Sequence, residues 1–338
     1  MELPPDLRAA LDDELESLPA RRLAALAANL SQRYRTGAPA SGGRFARSRE
    51  EVAAYAAVRL PATFGGVFAA LTQVRGRLPE WAPRSCLDVG AGPGTGMWAA
   101  SAIWPELERI TLIEREPEMR ALGQRLARVA PLGAMAHARW RANDLNATWE
   151  AEPHDLVLAA YVLGEMPDAQ RERLVGALWE RACGMLVIVE PGTPAGFARV
   201  RQARDQLLAA GAAAIAPCPH DGSCPMAEGN WCHFAQRVAR SRLHRQVKGG
   251  ELSYEDEKFA FVGVARMRGT AIEGRVIRHP QVRPGHITIE LCTPRGLTST
   301  VVTRKDRARF RQARALRWGS AVPAREGPDV EEQTTRET

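Results

Sequence analysis

The chain has 338 residues, enough for one large domain with additions or for two to three modules. It is 45% hydrophobic with a formal net charge of +7, which suits a globular protein with a real core and hints at a polyanionic partner. No run approaches the ~20 apolar residues of a bilayer span, so no membrane association is expected. The first residues include Glu2, Asp6, Asp12, Asp13, Glu14 and Glu16, too acidic for a transit peptide and without the apolar run of a signal peptide, so a cytoplasmic protein is expected.

Residues 1–80 read as a helical N-terminal region. Leu7, Leu11 and Leu15 recur every four residues, and residues 20–30 continue the pattern. A break is expected at 37–43, then a helical stretch over 48–78 interrupted near Pro61 and at Gly65 and Gly66, and closed by Pro83. From Ser85 short apolar runs at 86–90, 110–114, 136–140, 155–160 and 185–190 alternate with helical stretches at 96–104, 116–130, 168–183 and 195–210. Asp168 is the expected N-cap of the third of these. This alternation implies a parallel sheet with helices on both faces, an α/β fold of the class I Rossmann-like kind over 81–267.

The densest motif lies where the first strand turns into the first helix of that region. Asp88 precedes a loop containing Gly90, Gly92, Gly94 and Gly96, whose glycines permit a tight turn and close approach of a ligand. A carboxylate beside the loop favours a ligand bearing an ammonium and a sulfonium over a pyrophosphate, and the loop lacks a clean G-x-G-x-x-G. The indicated cofactor is S-adenosylmethionine (SAM). Glu114 ends the second strand and suits the ribose hydroxyls. Asn143 and Asp144 follow the third strand and suit the adenine, and Tyr161 to Glu165 follow the fourth. The expected cofactor-binding residues are Asp88, Gly90, Gly92, Gly94, Glu114, Asp144 and Tyr161.

Residues 214–235 are rich in Pro, Gly and Cys, and read as an insertion that binds metal. Cys218, Cys224 and Cys232 are hard to explain as core packing, whereas Cys86 and Cys183 lie within apolar elements and read as small hydrophobes. A closed site needs a fourth ligand, for which Cys292, His220 and His233 are candidates. Zinc and a [4Fe–4S] cluster both accept four thiolates, and the spacing does not separate them. The strand at 258–267 is expected to return to the sheet as its last member. Residues 268–318 read as a small β-barrel followed by a basic helix, and 319–338 as a disordered tail.

The block Pro217, Cys218, Pro219, His220, Asp221, Gly222, followed by Cys224-Pro225 and by Trp231 to Phe234, resembles the methyltransferase-like assembly factors of the mitochondrial small ribosomal subunit and their bacterial relatives. So do Glu190 to Phe197, Arg237-Val238, His244-Arg245 and Glu255 to Phe259; the resemblance runs from about residue 50 to Trp318. It implies a [4Fe–4S] cluster on Cys218, Cys224, Cys232 and Cys292, and a role on the small subunit and its rRNA during assembly or translation. The acidic N-terminus departs from the mitochondrial members and points to a bacterial cytoplasmic relative.

Thirteen basic residues and three acids lie between Gly263 and Trp318, a net +10 that exceeds the charge of the whole chain. Such a stretch suits phosphate contacts to RNA. The fold makes a SAM-dependent methyltransferase the expected enzyme class, and a working rRNA methyltransferase is the alternative to an assembly factor. No general base or nucleophile stands out, so no catalytic residue is assigned. A monomer is expected.

Overall fold

The computed structural model describes residues 1–16, 18–36, 48–130, 133–147, 149–248 and 251–324. The break expected at 37–43 lies outside them.

Two amphipathic helices, α1 (Pro5–Glu16) and α2 (Ala20–Thr36), bury Leu7, Leu11, Leu15 and Leu23 against a long third helix, α3 (Arg49–Arg75). Ser48 caps α3 by accepting from the Glu51 amide at 3.2 Å. The expected interruptions do not occur, because α3 runs unbroken through Pro61, Gly65 and Gly66. The glycines serve close packing instead: a Cβ at Gly65 would lie 2.5 Å from the Val238 side chain, and one at Gly66 2.6 Å from the Tyr161 hydroxyl. By length and composition α3 also qualifies as a membrane span, contrary to the reading of the bare sequence. Here 72% of its apolar window is buried inside the fold, as in the core helix of a globular domain.

Next come β1 (Ser85–Val89), α4 (Thr95–Ile103), β2 (Arg109–Ile113), α5 (Pro117–Ala127), β3 (Arg139–Arg141), β4 (His154–Ala160), α6 (Asp168–Arg181), β5 (Ala182–Pro191) and α7 (Pro194–Ala209). Strands β1 to β5 are mutually parallel in the order β3-β2-β1-β4-β5, the expected class I Rossmann-like arrangement. Helices α1 to α5 cover one face of this sheet, and α6 and α7 the other. Pro167 rather than Asp168 holds the N-cap of α6; Asp168 is the first helical residue and pairs with Arg171 at 2.9 Å. Of the two cysteines read as packing residues, Cys86 is buried in β1 and Cys183 is exposed.

Four further elements close the sheet: β6 (Ala213–Ala216), β7 (Phe234–Ala239), α8 (Arg242–Lys248) and β8 (Tyr254–Ala265). Strand β8 runs antiparallel to β5, and it is not the last member. Its outer edge is shared: β7 pairs with residues 254–259 and β6 with residues 263–265. Three of the four residues of β6 are alanines and carry little strand signal, which hid this edge. Residues 217–233 therefore leave and re-enter the same edge, and the cysteine-rich loop projects beside the middle of β8.

The C-terminal part contains β9 (Ile272–Val276), β10 (Gln281–Arg283), β11 (His286–Thr293), β12 (Gly296–Thr303), α9 (Arg307–Ala315) and β13 (Ala321–Pro323). The expected closed barrel is not seen among the described residues. The pairings form an open antiparallel sheet in which β11 is bonded to β12 on one side and to β9 and β10 on the other, with β13 beyond β9. The two ends do not match: β12 is a polar, mostly exposed edge, and β13 has only three residues. Val276, Ile287, Ile289, Leu291 and Val302 form its small core, covered by Ala313 of α9. Part of the expected disordered tail is structured, since β13 lies within it; residues 325–338 are outside the described set.

Candidate functional site

The crevice at the C-terminal ends of β1, β2 and β4 collects most of the residues expected there. Its walls include Asp88, Gly90, Gly92, Glu114, Asn143, Asp144, Tyr161 and Glu165. The loop after β1 is held by the amides of Gly90 and Ala91, which donate to the Ile113 carbonyl at 2.9 and 3.0 Å. Gly90, Gly92 and Gly94 have φ of 68°, 54° and 81°, the left-handed region that side-chain-bearing residues rarely enter. Gly94 does not line the crevice. It caps α4 and faces Met97, Trp140 and Leu112.

Asp88 is buried, and its carboxylate accepts from the Met97 amide at the start of α4 at 3.0 Å. Burial, opposed by that hydrogen bond, pushes its carboxyl up to about 7. Glu114 accepts from the Gly92 amide with one oxygen and from the Glu116 amide with the other, both at 2.8 Å, so it ties the glycine loop to the end of β2. Burial raises its pKa as well. Each oxygen keeps lone-pair capacity for a hydroxyl donor. Asp144 is half exposed and accepts from the backbone and side-chain amides of Asn146 at 2.9 Å. Solvent reaches Glu165, yet its enclosure by protein and the nearby Glu114 charge push its carboxyl to about 8.

Tyr161 adopts φ 60°, a conformation costly for a residue with a side chain. Its hydroxyl donates to Glu257 at 3.2 Å, and Arg59 reaches the same carboxylate at 3.2 Å. Tyr55 and Thr63, both from α3, also line the crevice, and neither was foreseen. The available signal was polar residues on one face of an otherwise apolar helix. A second cavity adjoins the first, shares Tyr55, Thr63, Tyr161 and Glu165 with it, and continues to Glu190 and Arg199. Glu190 is fully buried, bonded to the Leu163 amide at 3.0 Å and to Arg199 at 2.7 Å.

The four cysteines Cys218, Cys224, Cys232 and Cys292 line one cavity between the cysteine-rich loop, α7 and the C-terminal sheet. Of the two histidines considered, His220 lines it too, with Nε2 3.9 Å from the Cys292 sulfur. His233 does not. It stacks on Trp231 at 5.2 Å and meets Trp318 edge-on at 4.9 Å. Burial holds the free thiols of Cys218 and Cys232 above the usual thiol range and pushes Cys292 up to about 12. Among the described residues, no group of three His, Cys, Asp or Glu side chains stands in ready ligating geometry, so the thiols share a cavity without forming a finished cage.

The positive charge of the C-terminal part is divided. Arg266 donates to the Ala182 and Trp179 carbonyls and lies 4.3 Å from the Trp179 ring centre. Arg268 pairs with Asp221, Arg275 is buried, and Arg278 bonds Asn230. Arg283, Arg295, Arg304, Lys305, Arg307, Arg309, Arg311, Arg314 and Arg317 are exposed on the sheet and α9.

A relative is the human mitochondrial ribosome assembly protein METTL17, 29% identical over 289 residues, 80% of this chain and 62% of that protein. A fission yeast protein, the mitochondrial Rsm22-cox11 tandem protein 2, is 23% identical over 334 residues, 81% of this chain and 43% of its own length. The chain thus spans less than two thirds of the curated relatives it matches. Among solved structures, the N-methyltransferase NodS of Bradyrhizobium japonicum matches with a TM-score of 0.36 at 18% identity, covering 58% of this chain and 84% of that one. Magnesium protoporphyrin IX methyltransferase of Synechocystis matches with a TM-score of 0.40 at 11% identity, covering 78% and 98%.

These relatives correct the expected compartment. They are mitochondrial proteins, which overturns the cytoplasmic assignment. Of the acidic N-terminal residues on which it rested, Asp6, Asp12, Asp13, Glu14 and Glu16 belong to the folded helix α1, where Glu14 pairs with Arg125 of α5. The family model described as mitochondrial small ribosomal subunit Rsm22 matches residues 49–323, and the chain belongs to that family.

Proposed function

We propose that this protein is a SAM-binding, methyltransferase-like factor that holds a metal centre and docks on small-subunit rRNA, assisting assembly of the small ribosomal subunit or translation. The observation that carries the proposal is the position of the four thiols. Cys218, Cys224 and Cys232 come from the loop beside β8, Cys292 comes from β11, and all four line one cavity between the crevice-bearing sheet and the basic C-terminal sheet. Family membership and the name of the human relative support the ribosomal role.

The crevice fits SAM by its chemistry. Asp88 is a buried and Glu114 a partly buried carboxylate beside a glycine loop whose Gly92 leaves open space. Asp88 suits a cationic group, Glu114 the ribose hydroxyls, and Asp144 with Asn143 the adenine edge; Gly90 and Gly92 let the backbone approach, and Tyr161 closes the floor. The cysteine cavity fits four-thiolate ligation by its donor set, its burial and the cations around it. We favour a [4Fe–4S] cluster, with zinc as the alternative. Cys292 is the preferred fourth ligand, and His220 beside it is the substitute. Metal on all four thiols would join the C-terminal sheet to the larger domain and set the direction in which Arg307, Arg311 and Arg314 face RNA phosphates.

One observation favours a second reading, a working rRNA methyltransferase. The cavity beyond Tyr161 and Glu165 adjoins the crevice, shares those walls with it, and could receive an acceptor base.

The test combines metal content with RNA binding. Anaerobically purified protein should hold about four irons per chain. Cys292→Ser should lose metal and bind small-subunit rRNA more weakly, with no basic residue removed. An Arg307→Ala/Arg311→Ala/Arg314→Ala variant should keep its metal and show a shallower dependence of affinity on salt. Unchanged RNA affinity in both variants would overturn the docking role. Methyl transfer from labelled SAM to small-subunit particles would establish the second reading.

A further inference from the structure

The cysteine cavity has an electrostatic property that its thiols do not explain. Besides the four cysteines and His220, its wall contains Arg201, Arg204 and Arg275, and no carboxylate. Arg204 is 3% exposed and Arg275 2% exposed. Burying a guanidinium costs several kcal/mol unless an opposite charge accompanies it. Arg204 donates through Nε to the Cys218 sulfur at 3.3 Å and through Nη2 to the His220 and Gly222 carbonyls; its Nη1 pairs at 2.9 Å with Asp205, which is half exposed and does not line the cavity. Arg275 donates to the Pro217 and Gly319 carbonyls, and its remaining Nη2 is buried with no hydrogen-bond partner among the described residues. Carbonyls satisfy donors but do not neutralise a charge. A third buried arginine, Arg77, adds to the positive field with bonds only to carbonyls, at Thr270, Ile215 and Cys218.

We propose that Arg204 and Arg275 form a buried cationic cage that balances the negative charge of a four-thiolate metal centre on Cys218, Cys224, Cys232 and Cys292. This rests on the four-cysteine reading above and assigns a role to residues outside the ligand set. Four thiolates around a divalent zinc ion or a [4Fe–4S]2+ core carry a net double negative charge, which the buried guanidiniums of Arg204 and Arg275 would offset, with Arg77 adding to the positive field and Asp205 drawing on part of the Arg204 charge. The two arginines come from α7 and β9, two separate elements that wall the cavity. Arg204 already contacts a sulfur, and the free Nη2 of Arg275 remains available for another. Groups that hydrogen-bond or balance metal ligands typically alter affinity 10–100-fold. As positioning residues they act through the thiolates and do not touch the metal.

The experiment measures zinc affinity by chelator competition on the full chain. It compares wild type with Arg204→Gln, Arg275→Gln, Arg204→Lys, Arg275→Lys and Cys218→Ser, with circular dichroism to confirm folding. Each glutamine variant should bind zinc about tenfold or more weakly, and its gain in melting temperature on loading should shrink. The lysine variants, which keep the charge, should recover most of the affinity. Folded glutamine variants with wild-type zinc affinity, alongside a Cys218→Ser variant that loses it, would overturn the cage and leave the four-cysteine centre standing. Wild-type affinity in Cys218→Ser would overturn the centre, and the cage with it. Should the glutamine variants not fold, the lysine variants decide: affinity near wild type supports the cage, and a tenfold loss despite the retained charge refutes it.

Discussion

Replacing Gly96 with alanine should be among the more damaging single-methyl changes available in this chain. Gly96 sits in the first turn of α4, and a Cβ there would lie 2.6 and 2.8 Å from the two Asp88 carboxylate oxygens and 2.9 Å from the carboxyl carbon. All three distances are shorter than real contacts. Asp88 is buried within β1 and can yield only toward the crevice, which gives up the hydrogen bond its Oδ2 accepts from the Met97 amide at 3.0 Å. The methyl must therefore displace the carboxylate from the start of the helix. Overpacking of this kind costs about 1–3 kcal/mol. A lost hydrogen bond to a buried acid costs about 1–3 kcal/mol more. Better helix propensity returns at most ~1 kcal/mol. The net expectation is a destabilisation of about 1–5 kcal/mol by chemical denaturation, with loss of SAM binding by calorimetry. Gly92→Arg is the contrast. No atom lies within 4 Å of a Cβ at Gly92, so apart from strain at its φ of 54° the fold should tolerate the side chain, while SAM should be excluded. Wild-type stability and SAM affinity in Gly96→Ala would refute the packing argument, and SAM binding in Gly92→Arg would refute the placement of the cofactor.

The pH response of the crevice follows from Asp88, whose carboxyl titrates at about 7 in the fold against ~3.9 when unfolded. The neutral form is thus favoured by folding: its stabilisation is fully present below about pH 4 and is lost as pH rises through about 7. A cationic ligand needs the charged form, so SAM affinity should rise with pH, by up to about tenfold per unit below 7. Glu165 in the same crevice, pushed to about 8, adds its own rise above that. Asp88→Asn should therefore flatten the profile below pH 7 and leave the part due to Glu165, and a flat wild-type profile below 7 would exclude Asp88 as the counter-charge. Arg77→Ala should loosen the C-terminal sheet, because Arg77 bonds the Thr270 and Ile215 carbonyls at 2.6 and 2.9 Å. Hydrogen exchange in β9 and β11 should accelerate by about tenfold or more, consistent with about 1–3 kcal/mol for a lost buried contact, and unchanged protection would show that other contacts hold the sheet.

The junction between the two sheets has protein contacts of its own besides any metal. The Thr270 amide donates to the Arg77 carbonyl at 2.8 Å, and Arg275 reaches the Pro217 carbonyl at 2.9 Å. Metal on the cysteines would thus tighten an interface that is already built. Loss of Cys292 should change RNA affinity by reorienting α9 and need not release the sheet.

What the sequence determined by itself was local and periodic. Alternating apolar runs and helices give a parallel sheet wherever each strand must be covered on both faces, so β1 to β5 were legible in order. Glycines at 90, 92 and 94 marked the loop because few other residues enter its backbone conformation, and Glu114 was found because it directly follows the strand beside it. The cysteine-rich loop declared itself because so many thiols, prolines and glycines cannot pack as a core. Long-range packing decided the rest. Pro61, Gly65 and Gly66 looked like breaks, but burial of most of α3 favours the continuous helix and turns the glycines into contact points for β7 and Tyr161. The edge of β8 is divided between β6 and β7, a pairing that no run of residues encodes. The thirteen basic residues of the C-terminal part looked alike in sequence. Only the tertiary structure separates Arg275, buried among thiols, from Arg307 and Arg311, exposed on α9, because the solvation of a charge depends on which distant segments enclose it.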